Sequence, residues 1–75
     1  APVSLYYTPR PGLRISVEAY TVAGEWVAQA EDPWAGGRLE LPMQSLAAGV
    51  YVLRVRLWSG GNLVDACTRK LALVH

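Results

Sequence analysis

Cys67 is the only cysteine and His75 the only histidine of the sequence. A thiol attacks at neutral pH when a base or another activating group stands beside it. His75 sits at the end of the chain, where ends fray, so Cys67 reads as a small core residue. The same shortage removes a serine hydrolase, because Ser4, Ser16, Ser45 and Ser59 have no interior histidine to take a proton. One cysteine also excludes an intrachain disulfide, a CxxC pair and a cysteine-based zinc cluster. Glu31 and Asp32 are the only adjacent carboxylates. Followed by Pro33, they read as turn initiators and not as an acid-base pair. No stretch has the alternating acid and amide spacing of a calcium loop. Gly36-Gly37 and Gly60-Gly61 lack the third glycine and following helix of a phosphate cradle. The expectation is a non-catalytic chain with no cofactor and no metal site.

Seven basic against six acidic side chains leave a formal charge of +1, too weak a field to gather nucleic acid or anionic lipid. Arg14, Arg54 and Arg56 read as polar positions on strands. The aromatic set is Trp26, Trp34, Trp58, Tyr6, Tyr7, Tyr20 and Tyr51, with no Phe at all. Aromatic rows on a β face stack on sugar rings, so carbohydrate binding is the alternative carried by Trp34, in a loop, and Trp58, of outward parity. Tyr51 has core parity.

These residues need a scaffold, and 75 residues supply one domain, 1–75. A domain of this size buries only about 60% of the surface of its unfolded chain, which leaves little room for a deep catalytic cleft. Hydrophobic residues make up 52% and charged ones 17%, the balance of a folded core. No apolar run reaches the roughly 18 residues of a membrane span, and the N-terminus lacks the basic start and hydrophobic stretch of a signal peptide. The chain therefore reads as soluble, with any export signal removed or carried by a larger parent.

Turn-forming clusters at Thr8 to Gly12, Ala23-Gly24, Asp32 to Gly37, Ala47 to Gly49 and Ser59 to Asn62 separate short runs rich in Val, Leu, Ile, Tyr and Trp. That spacing predicts an all-β fold, an immunoglobulin-like antiparallel β-sandwich of six or seven short strands. Leu13 to Ala19 alternates strictly, with Leu13, Ile15, Val17 and Ala19 on one face. Gly49 to Trp58 alternates likewise, with Tyr51, Leu53, Val55 and Leu57 inward. Val3 to Tyr7, Trp26 to Ala30 and Arg38 to Leu41 are further strands. Met43 to Ala48, between Pro42 and Gly49, allows one helical turn at most. Gly60-Gly61 predicts a two-residue hairpin that pairs Trp58 with Leu63, Arg56 with Asp65 and Val55 with Ala66. This register turns Val64, Ala66 and Thr68 inward, yet Leu71 and Leu73 have the opposite parity. A bulge or strand switch between Thr68 and Leu71 is therefore expected.

The order of these pieces resembles the C-terminal sorting domain of the bacterial type IX secretion system and the related immunoglobulin-like domain of flagellar hook-capping proteins. Tyr7-Thr8-Pro9-Arg10-Pro11-Gly12-Leu13-Arg14-Ile15 is similar to their opening segment, with no Asn between the prolines. Val17 to Val27 is similar to their strand, Tyr, short turn, Gly and next strand, with Thr21 where an acidic or amide residue is usual. Ser45-Leu46-Ala47-Ala48-Gly49-Val50-Tyr51-Val52-Leu53-Arg54-Val55 matches the family's Leu, two residues, Gly, aliphatic, Tyr segment. Arg69-Lys70-Leu71-Ala72-Leu73 resembles the basic residue and short apolar strand that finish sorting domains.

The resemblance implies a cargo module of an exported bacterial protein, secreted or at the cell surface by way of the periplasm. Its protein partner would be the outer-membrane secretion translocon or the parent polypeptide. It also implies recognition roles for Gly49, Tyr51 and Lys70. The plainer reading gives Gly49 a backbone angle to satisfy, Tyr51 a place in the core and Lys70 a solvated position at a bulge. A generic immunoglobulin-like assembly module, with self-association through an open sheet edge, is the second reading.

Overall fold

A computed structural model describes residues 3–33 and 36–74. Six strands follow in order: β1 (Val3–Tyr6), β2 (Arg14–Thr21), β3 (Trp26–Asp32), β4 (Arg38–Leu41), β5 (Gly49–Ser59) and β6 (Asn62–Leu73), with no helix among the described residues. They form two antiparallel sheets, a four-stranded one in the order β3-β2-β5-β6 and a two-stranded one of β1 and β4. The all-β expectation is met with six strands.

Period-two alternation places the core. Ile15, Val17 and Ala19 of β2 face inward opposite Leu57, Val55 and Leu53 of β5, and all three are buried. The smaller sheet contributes Leu39 and Leu41, and the loop after β4 contributes Met43. Pro42 cannot donate to a ladder and ends β4. The chain then makes a single turn in which Leu46 N donates to Met43 O at 3.1 Å, leaving the Met43 side chain with no exposed surface. Side chains of this size gain about 1.5–3 kcal/mol each on full burial, so Leu41 and Met43 hold the smaller sheet on the larger.

The turns follow their sequences. Thr21 O accepts from Gly24 N at 2.9 Å and Thr21 N donates to Glu25 O at 2.8 Å. Gly24 takes the positive φ, 92°, that closes such a three-residue hairpin. At the β5–β6 hairpin Ser59 pairs with Asn62, as expected. Of its two glycines only Gly60 has positive φ, 59°, the pattern of a type II′ turn.

The register beyond that tip differs from the expectation. Trp58 pairs with Leu63, but Leu57 pairs with Asp65, Arg56 with Ala66 and Val55 with Cys67. The one-residue slip therefore falls at Val64, and β6 continues unbroken to Leu73 without changing sheets. Parity alone demanded a slip somewhere between the tip and Leu71; placed at the tip, it leaves the long remainder of the ladder regular. Leu71 and Leu73 then face inward, whereas Ala66 and Thr68 face outward. Arg56 meets Glu18 of β2 at 3.0 Å instead of Asp65.

Cys67 is also corrected, being exposed and not a core residue. Its parity is inward, opposite Val55, but among the described residues the smaller sheet has no strand over this half of β6.

Candidate functional site

The hairpin register places Gly49, Tyr51 and Lys70 close together along two paired strands, with Gly49 opposite Leu73, Tyr51 opposite Leu71 and Lys70 opposite Val52. Their side chains do not form one surface. Tyr51 points inward, 7% exposed, and its hydroxyl donates to the Ala47 carbonyl at 2.7 Å, tying the 42–48 loop to β5. Lys70 is exposed and has outward parity. Gly49 is exposed, and a Cβ built on it would meet nothing within 4 Å.

Trp58 lies on the outer face of the larger sheet, as its parity predicts. Its Nε1 donates to Ser16 Oγ at 3.1 Å, and the Arg14 guanidinium stands 5.4 Å from the ring centroid. The ring is thus held at its edge and shadowed on a face. Trp34 lies outside the described residues. The aromatic surface that sequence reasoning passed over is at the other end of the face, where Trp26, 53% exposed, pairs with Tyr20. A register shift between Ala19 and Tyr20 turns Trp26 onto the same side as Tyr20, and no local signal in the sequence marks it.

The charges of this outer face are largely spent on one another. Arg14 pairs with Glu31 at 3.7 Å, Arg56 with Glu18 at 3.0 Å, and Tyr20 donates to Glu18 at 3.2 Å. Arg54 stands directly opposite Glu18 in the β2–β5 register. The three arginines therefore sit among carboxylates.

The inner side is different. Two strands cover four, and β4 lies toward β3, so the free edge of β1 borders an open cleft of about 390 Å³. Leu5, Val55 and Leu71 give it apolar walls, and Cys67 and Arg69 of β6 line its far side. Tyr7 N donates to Gly37 O at 3.0 Å. Successive residues of an antiparallel strand turn their backbone groups to alternate sides, so Leu5 faces β4, whereas Ser4 and Tyr6 present N–H and C=O to the cleft side.

Asp32 ties the two sheets together at one corner. Its Oδ2 accepts from the Tyr7 hydroxyl at 2.6 Å and from Gly36 N at 2.9 Å. Burial and the hydrogen bond to this carboxylate raise the Tyr7 hydroxyl above its ordinary value of 10.0. The Glu31-Asp32 pair is thus split, Glu31 on the outer face and Asp32 in the clasp. Among the described residues no three His, Cys, Asp or Glu side chains converge as metal ligands would. No helix among them is long and apolar enough to cross a membrane.

No family model, curated protein or solved structure matches the chain.

Proposed function

We propose that this chain is a non-catalytic attachment or sorting module of an exported bacterial protein, built on an immunoglobulin-like sandwich and engaged through protein contacts. The observation that carries the reading is the tyrosine at the head of β5. Tyr51 follows the Gly49-Val50 pair, buries its ring and returns its hydroxyl to the Ala47 carbonyl four residues upstream at 2.7 Å. Immunoglobulin-like domains use a corner of this kind to fix the crossing from one sheet to the other. The segment is also the one that most resembles type IX sorting domains. The second reading, a general assembly module, is favoured by the half-covered inner face, which offers apolar surface and a free strand edge.

Fusion to the C-terminus of a periplasmic reporter, in a host that carries the type IX apparatus, tests the first reading. Surface delivery of the intact fusion is expected, and retention in the periplasm refutes it. Truncation from Arg69 would remove Leu71 and the buried Leu73 and so confound export with unfolding. Lys70→Glu is the sharper variant, because its side chain is outside the core; loss of delivery with an unchanged Tm assigns recognition to that residue.

A further inference from the structure

We propose that the cleft between β1 and β6 binds an extended segment of a partner polypeptide, which adds a third strand to the smaller sheet and carries a carboxylate to meet Arg69. The inference deepens the reading of the chain as a protein-binding module and rests on it. Three features converge. The backbone groups of Ser4 and Tyr6 stand on the uncovered edge of β1, so a strand laid beside it gains ladder hydrogen bonds irrespective of its side chains. Alternate side chains of such a strand lie beside Leu5 and point down onto Val55 and Leu71, which now border an open volume of about 390 Å³, within the range of ligand sites.

The third feature sets the chemistry of the occupant. The cleft lining includes one cation of inward parity, Arg69, and no carboxylate. The ion pairs among the described residues involve Arg14, Arg38 and Arg56, and among the same residues the Arg69 guanidinium donates to the Thr68 carbonyl, at 3.3 Å, and to no carboxylate. A wholly apolar strand would strip water from that guanidinium and leave it unpaired, which opposes binding strongly. A strand with an Asp or Glu over Arg69 recovers the loss as a charge-assisted hydrogen bond. An acidic, alternating apolar segment is therefore the fitting partner.

Cys67 lies in the cleft and is the only thiol of the chain, so its alkylation rate reports occupancy. The probes are two blocked, fluorescein-labelled peptides, Thr-Val-Thr-Val-Thr-Glu and the same sequence ending in Lys, titrated against the 75-residue chain. The acidic peptide is expected to raise anisotropy, to slow alkylation of Cys67 and to bind about tenfold or more tightly than its basic counterpart. Arg69→Glu should reverse that preference. Tyr6→Pro, at an exposed edge position where proline is tolerated, should weaken the acidic peptide several-fold with Tm unchanged. Equal binding of the two peptides, no binding of either, or indifference to both substitutions overturns the proposal. So does concentration-dependent dimerisation that protects Cys67 without peptide, the occupant then being a second copy. Surface delivery of the fusion without peptide binding refutes the cleft proposal alone, whereas peptide binding without delivery refutes the sorting reading alone.

Discussion

Replacing Tyr51 by Phe removes one oxygen and leaves the ring, which separates the hydrogen bond from the packing. The hydroxyl donates to Ala47 O at 2.7 Å, and Ala47 is exposed, so water can take over the carbonyl once the phenol is gone. The loss is then the net worth of one hydrogen bond, about 0.5–1.5 kcal/mol, and not the larger penalty of an orphaned buried acceptor. For a domain of 60–100 residues 1 kcal/mol moves Tm by about 4–8 °C, a shift easily read by circular dichroism. Tyr51→Ala also removes a ring that is 7% exposed and should cost about 3–5 kcal/mol. At roughly 0.05–0.15 kcal/mol per residue, that is a large share of the total stability. A Tyr51→Phe protein with the wild-type Tm would refute the corner as a structural device. A loss as large as that of Tyr51→Ala would refute the assignment of the packing to the ring.

Tyr7→Phe tests the clasp on Asp32. The Tyr7 hydroxyl titrates above its ordinary value of 10.0 in the folded chain, so its contribution is complete below that pH and is lost as pH rises through the folded value. Urea titrations from pH 8 upward should show an alkaline decline that shrinks in Tyr7→Phe; an identical decline in both proteins counts against the clasp. Deletion of Val64 removes the extra residue of the β5–β6 ladder while keeping Leu57 opposite Asp65 and every pair beyond it. The shortened chain should therefore fold, with cross-strand NOEs between those partners and a Tm close to wild type; a loss above about 2 kcal/mol would contradict the register. Gly24→Ala and Gly37→Ala both force a side chain into positive φ, 92° and 105°, at about 1–2 kcal/mol each. Only at Gly37 does the new Cβ also crowd a neighbour, Pro9 Cγ at 3.1 Å and Tyr7 O at 3.3 Å, adding about 1–3 kcal/mol. Equal Tm losses would show that this crowding relaxes freely.

The strands were legible because each reads its own pattern locally. Ile15 and Val17 alternate with polar neighbours, Ala19, Tyr51 and Leu53 keep the same period-two parity, and all five are buried. The hairpin at Gly60-Gly61 is equally local. What could not be read was anything fixed by a distant strand. A slip at Val64 and a slip after Thr68 give Leu71 and Leu73 the same parity, and Gly60, Gly61 and Asn62 are already accounted for by the tight turn, so they do not mark one site over the other. Trp58 was rightly placed outward, but its contacts with Ser16 and Arg14 follow from the β2–β5 register, which joins residues 42 apart in the chain. Cys67 was misplaced for a related reason: its parity is inward, and inward becomes buried only where the opposing sheet is wide enough to cover it.

The width of that sheet leaves its own trace in β6. Along its inner face Leu73 is buried, Leu71 half-buried, and Arg69, Cys67 and Asp65 are exposed, so polarity rises where cover ends. The opposing half of β5 does not follow, since Val55 and Leu57 stay aliphatic and half-buried. Were the opening only a solvent boundary, polar residues on both strands would serve it equally well. In the proposed cleft a polar β6 beside an aliphatic β5 would select among strands laid on the edge of β1, because an incoming strand must bring a charge that suits Arg69. In that proposal the aliphatic floor would supply affinity and the charged margin selection. A partner-binding cleft needs both, and a merely truncated sandwich needs neither.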